Sequence, residues 1–324
     1  MIPIAPVRML LFTALLAGSL YGVPAAAQVP VPIGLTVPPF NPGEIQPLQE
    51  PRKLGIFHVP AFRFAAETIN TGIPLPGTPN RFLAKGGGAV VRGPRTTGWT
   101  LVVEHIVIDG LVLAAGAPLV TLTVSVENDA PAQRFYNAEY RGLETLPQGA
   151  PGSPIRRIVR GMADTLAFAL PMLPSQPIAE RSPVLDLNIA IARHFGRRAR
   201  EAQIVQQPGP IVAAGSVLHR GRSAVFVRQE GAFVVRLAYR DVNLRSEAAG
   251  AVDVETGLPL FFQIRAFGPV DMMTVRGPVD YTLRVAVALP GMDDPAQALP
   301  PLAPPPRTAA PAAAPPPTGP AAAP

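Results

Sequence analysis

Cysteine is absent from all 324 residues. Its absence excludes disulfides, thiolate metal sites and a cysteine nucleophile, and with them the cysteine-linked lipid anchor of bacterial lipoproteins. Lysine is nearly absent: Lys53 and Lys85 are the only two, and arginine carries the rest of the positive charge. One tryptophan and five tyrosines cannot supply the aromatic girdles of an outer-membrane barrel. Four histidines are present, His58, His105, His194 and His219, with no pair at metal-ligand spacing and no H-E-x-x-H. No apolar run beyond Ala27 approaches the ~20 residues of a spanning helix, so the mature chain is expected not to be transmembrane.

The first 27 residues carry a different pattern. Arg8 is the only charge before Gln28, the run Met9 to Ala17 is mostly apolar, and Pro24-Ala25-Ala26-Ala27 closes the segment. A positive start, a short apolar centre and small residues at an A-x-A site predict a secretory signal peptide over 1–27. The expected location is periplasmic or secreted. A domain of this size can bury a core without disulfides. Abundant Ala, Gly, Pro and Arg fit a GC-rich bacterial genome. The formal charge of +6 is modest for the length. Without clustered basic and aromatic residues it gives no reason to expect a nucleic-acid partner.

Proline marks both flanks. Residues 28–52 hold Pro30, Pro32, Pro38, Pro39, Pro42, Pro47 and Pro51 with no period, which predicts an extended leader or linker. Residues 290–324 are dominated by proline and alanine, and so little apolar surface predicts a disordered tail. Residues 53–289 are expected to form the globular domain.

Period-two alternation dominates that domain. Trp99-Leu101-Val103-His105-Val107 share one expected face, and Asp109-Gly110 then offers a hairpin turn. Val120 to Glu127, Leu185 to Ile191, Ala224 to Arg228, Phe233 to Tyr239, Leu258 to Ile264 and Tyr281 to Val287 alternate in the same way. Glu230-Gly231 reads as another hairpin turn, and Gly250, Gly257, Gly268 and Gly277 read as turn residues between runs. Ser153 and Pro154 suit a helix start, and Ile155, Ile158, Val159, Met162, Leu166 and Leu170 follow at helical spacing until Pro171. A second, weaker helix is predicted near Phe62 to Asn70. The fold class is therefore mainly β: an antiparallel curved sheet, open barrel or sandwich, with one packed amphipathic helix.

No constellation specifies a reaction. The nucleophile-elbow pattern G-x-S-x-G does not occur; Gly18-Ser19-Leu20-Tyr21-Gly22, in the signal segment, has leucine at the serine position. Gly86-Gly87-Gly88 lacks the frame of a phosphate loop and reads as a β connection. Asp253 and Glu255 could chelate a hard cation, but a strand end and turn explain them better. No metal, cofactor or catalytic residue is assigned. Arg193, Arg197, Arg198 and Arg200 crowd one stretch and form a candidate anion site, set against a plain solvated loop. Arg236 and Arg240, alternating with Phe233, Val235, Leu237 and Tyr239, suggest a basic sheet face.

Two short phrases carry a resemblance. Asp253-Val254-Glu255-Thr256-Gly257-Leu258-Pro259-Leu260 and Leu170-Pro171-Met172-Leu173-Pro174-Ser175-Gln176-Pro177-Ile178 resemble segments of bacterial exported β-rich domains of unknown function, and of lipoprotein-carrier-like open barrels. The chain departs after Ile178, where Ala179-Glu180-Arg181 replaces the usual G-D-x-W. The resemblance covers 166–289 and implies a curved antiparallel sheet with a helix against its concave face. It transfers no catalytic residue.

The expected function is non-enzymatic: an exported envelope protein that binds a hydrophobic or amphipathic molecule, or a partner protein, through its sheet. Leu260, Phe262 and Ile264 would line the site, with Arg236 and Arg240 near its rim. The alternatives are an envelope scaffold with a Pro-Ala spacer, and an enzyme of unknown class.

Overall fold

The computed structural model describes residues 37–54, 61–73, 80–92, 96–127, 136–141, 177–185, 202–206, 209–237, 240–272 and 275–302. The predicted signal segment, the helix at 155–170 and the arginine cluster at 193–200 lie outside the described residues.

The protein is mainly β. The strands are β1 Ala61–Asn70, β2 Arg81–Arg92, β3 Thr96–Ile108, β4 Leu111–Glu127, β5 Tyr136–Arg141, β6 Pro183–Leu185, β7 Ala202–Gln206, β8 Ile211–His219, β9 Arg222–Leu237, β10 Arg240–Asp253, β11 Pro259–Met272 and β12 Val275–Ala288. They form one antiparallel sheet in the order β5-β4-β3-β2-β1-β12-β11-β10-β9-β8-β6, with β7 pairing β9. Two meanders, β1 to β5 and β8 to β12, are joined by the β1–β12 ladder, where Phe64 pairs with Val287 and Glu67 with Arg284.

Successive side chains of a strand point to opposite faces, and β10 displays the rule cleanly. Val242, Leu244, Ser246 and Ala248 are buried, whereas Asp241, Asn243, Arg245 and Glu247 are exposed. Following the registers outward from Ala248 defines an inner apolar face, which includes Ile264 on β11, Leu283 on β12 and Thr68 on β1. The opposite, outer face is more polar. In β12 from Tyr281 onward and in β1 from Phe64 onward, residues of both faces are buried, because chain segments cover the outer face there.

Cross-strand glycine–phenylalanine pairs let the inner face pack closely. Phe62 pairs with Gly88, Phe64 with Gly86 and Phe262 with Gly250. A Cβ at Gly88 would stand 2.2 Å from the Phe62 ring, and one at Gly250 would stand 2.6 Å from the Phe262 ring. Each phenyl ring lies over its partner strand in space only glycine leaves open. Glycine-over-aromatic pairing of this sort also lets a sheet curve.

Several turn expectations hold and several do not. Asp109-Gly110 joins β3 to β4, with both residues at positive φ, 47° and 86°, as a two-residue primed hairpin turn requires. Gly257 lies in a turn at φ 70°. Glu230-Gly231 is not a turn: both residues lie inside β9, paired with Glu247 and Ser246. The hairpin is made instead by Arg220 and Gly221, at φ 50° and 76°. Gly250, Gly268 and Gly277 also lie within strands. The helix predicted near Phe62 to Asn70 is strand β1. Burial on both faces removes the alternation that marks a half-exposed strand.

His105 is displaced from its expected face. The β2–β3 and β3–β4 registers both shift between Val103 and His105. This β-bulge inserts Glu104 and re-aims the side chains that come after it in β3. Leu101, Val103 and Ile106 are therefore the buried positions, and His105 falls on the outer face beside Lys85.

The proline-rich flanks are partly structured. Residues 37–54 run along the sheet as an extended arm with Leu48 and Leu54 buried, and Gln46 exchanges two backbone hydrogen bonds with Ser216 of β8 (2.9 and 2.7 Å). Residues 290–302, expected to belong to the disordered tail, also lie on the domain. They include a short 3-10 helix, Pro295–Ala298, capped by the Asp294 carboxylate. The Pro300 carbonyl accepts a 2.5 Å hydrogen bond from Arg284 Nη1. Apolar area alone does not predict this docking; backbone carbonyls that satisfy buried arginines do. Deleting 303–324 should leave the melting temperature nearly unchanged in calorimetry. Deleting 290–324 should cost at least the ~1.5–3 kcal/mol of a hydrogen bond to a charged group.

Candidate functional site

The inner face of the central strands is apolar and buried. Leu260, Phe262 and Ile264 all lie on β11 and are 0, 4 and 6% exposed. Phe262 sits over Gly250, and Ile264 pairs with Leu283 and Ala248. Two pairs of polar side chains meet on this face. Ser246 donates to Gln229 Oε1 at 3.1 Å. Tyr281 hydrogen-bonds Thr68, and burial pushes its phenol up to about 12, which keeps it neutral.

Arg236 and Arg240 do not join this group. They fall in different strands, Arg236 paired with Asp241 and Arg240 with Leu237, which puts the two positions on opposite faces. Arg240 lies ten residues along β10 from Gly250, the partner of Phe262, a distance of about 33 Å. The period-two spacing of these arginines suggested one basic face, but the chain turns between β9 and β10 and breaks the period.

Asp253 and Glu255 have a structural role. The Asp253 carboxylate accepts from Arg222 Nε at 2.7 Å and Nη2 at 3.1 Å, and from the Thr256 backbone N–H and hydroxyl at 2.8 and 2.7 Å. Arg222 also donates to Glu255 at 2.6 Å. Together they clamp the β8–β9 hairpin to the turn before β11. Among the described residues no group of three or more His, Asp or Glu is placed to hold a metal.

The outer face holds groups that single-strand patterns gave no reason to connect. Glu67 on β1 and Arg284 on β12 are each 1% exposed and form a buried ion pair, through Nη2 and, at 3.1 Å, Nε. Arg81 of β2 donates to the other Glu67 oxygen at 2.5 Å. Further along β11 and β12, Arg265 makes a two-bond pair with Asp280 (2.8 and 2.7 Å) and lies over the Phe267 ring at 4.5 Å.

The arm meets this face through Phe40. Its ring stacks on Phe261 at 4.6 Å, lies 6.3 Å from Phe226, and meets the His219 ring edge-on at 5.4 Å. Gln263 Nε2 reaches the Pro38 carbonyl at 3.4 Å. The arm's close approach depends on Gly215, where a Cβ would stand 2.5 Å from Ile45 and 2.7 Å from the Gln46 carbonyl. Sequence reading placed residues 28–52 in a leader and gave Phe40 no partner. The one available signal was a phenylalanine inside a proline-rich stretch.

No family model matches the chain, and neither does any curated protein. What is established is an antiparallel, mainly β fold with an apolar inner face and with residues 37–54 and 290–302 docked on the sheet.

Proposed function

We propose that the protein is an exported, non-enzymatic binding protein of a bacterial envelope, periplasmic or secreted, which holds a hydrophobic or amphipathic molecule against the inner face of its sheet. One observation supports this reading. The apolar inner face runs across neighbouring strands, and the sheet's end strands, β5 and β6, are not paired with each other. Small barrels and curved sheets that hold ligands do so on an apolar inner face of this kind. The resemblance of Asp253-Val254-Glu255-Thr256-Gly257-Leu258-Pro259-Leu260 to a segment of carrier-like barrels agrees with it.

The test is mass spectrometry of organic extracts from the full protein purified from its native host. The expected result is an amphipathic molecule in near-stoichiometric amount. Phe262→Asp should abolish its retention, since a carboxylate in an apolar site is strongly disfavoured; circular dichroism must establish that the variant is folded. A folded variant that keeps the molecule removes Phe262 from the site. Native protein with no extractable ligand would favour the second reading, a scaffold. That alternative draws on the arm, which docks by an aromatic anchor and strand pairing, two means by which proteins hold extended partners.

A further inference from the structure

We infer that His219 makes docking of the arm at residues 38–46 proton-dependent, so that acid lifts the arm from the outer face. The geometry carries the inference. The His219 ring lies 5.4 Å from Phe40 on the arm and 6.5 Å from Phe261 on β11. Its Nε2 is buried and has no hydrogen-bond partner among the described residues. An imidazolium has two N–H donors. In this position one of them would be charged, buried and unpaired, an arrangement with a high desolvation cost.

The surrounding charges do not offset that cost. Arg220 follows His219 in the chain, and Arg222 is its register partner on β9. Both are cationic. The nearby carboxylates of Asp253 and Glu255 are taken by Arg222. Arg220 donates to the Val287 and Asp293 carbonyls at 3.0 Å each, and the charge of Asp293 acts on Arg220. On the arm, Glu44 is exposed. Burial and then Arg220 hold the imidazole below its ordinary range.

A group whose pKa is depressed in the docked state favours docking while it is neutral, above about pH 6.5. Docking weakens as pH falls below that value towards the docked-state pKa, about tenfold for each unit between the two states. The segment 38–46 is also held by the Gln46–Ser216 backbone pair, the Ser216 hydroxyl on the Gln46 carbonyl at 3.4 Å and the 3.4 Å bond to Pro38, and beyond it Leu48 and Leu54 stay buried. Loss of the Phe40 anchor would bare Phe226 and Phe261 and put an apolar patch on the outer face.

The chain has no cysteine, so Glu44→Cys in the full-length protein takes a single nitroxide label. Electron paramagnetic resonance from pH 8 to 4.5 should show a mobile component growing below about pH 6.5, with far-ultraviolet circular dichroism unchanged. In Glu44→Cys/His219→Phe, which keeps an aromatic ring without a titratable nitrogen, the spectrum should not respond to pH. If that variant does not fold, Glu44→Cys/His219→Gln serves the same purpose. A pH-independent spectrum with His219 present would overturn the inference. So would the same acid release with His219 replaced.

Discussion

Arg284→Met is expected to destabilise the protein by about 3–5 kcal/mol, because removing one partner of a buried ion pair strands the other. Glu67 is 1% exposed and would keep only Arg81, whose side chain is half-exposed. The Pro300 carbonyl would lose its donor as well. The informative comparison is Glu67→Leu/Arg284→Met. Replacing both charges with apolar groups of similar size removes the stranded ion, and such exchanges are often neutral or stabilising. The double variant should therefore recover most of the loss, with Arg81 turning to water. Urea melts of the three proteins decide the matter. A single variant within ~1 kcal/mol of the parent, below the range for broken buried pairs, would mean that Glu67 is not sequestered.

The second large effect concerns Phe62 and Gly88. Phe62→Ala should cost about 3–5 kcal/mol as a large buried ring is lost. Gly88→Ala should cost about 1–3 kcal/mol by overpacking, since the three nearest atoms to the new Cβ all belong to the Phe62 ring, at 2.2–2.7 Å. Combining them removes the clash and puts a methyl group in the vacated space. The double variant should then cost less than the sum of the singles, a coupling that direct contact permits and distance forbids. Strict additivity would show that the ring and the glycine do not meet.

How much of this was legible depends on how each strand's side chains are spaced. β11 was readable as a strand from the parity of Leu258, Leu260, Phe262 and Ile264, although Phe261 and Gln263 between them are buried too. β1 was not. Phe62, Ala65, Ala66 and Ile69 imitate helical spacing, and burial of both faces removes the polar punctuation that would have corrected the reading. Asp109-Gly110 was legible because both residues tolerate positive φ. Glu230-Gly231 looked much the same, but a glycine within a strand is as much a packing device as a turn. The Glu67–Arg284 pair could not be read at all. Its members are 217 residues apart, and nothing local to either strand names the other. The inner-face residues Phe262 and Ile264 were found from parity alone. Arg236 and Arg240 were misplaced because the alternation was followed through a turn.

The seam between β1 and β12 bears on the order of events in folding. Every other neighbouring pair within the two meanders can form soon after its strands exist, because each closes a short loop. The β1–β12 ladder joins residues such as Phe64 and Val287, and so it bears the entropy of closing most of the chain before any contact offsets it. The seam is where both faces of the sheet are buried and where Glu67 finds Arg284. The centre of the finished sheet is thus the last place to be assembled. Until β12 has been synthesised, the first meander carries an edge strand, β1, with a buried-type carboxylate and no counterion from β12. The first meander can form in that condition, but it presents β1 as an open edge until its C-terminal strands arrive.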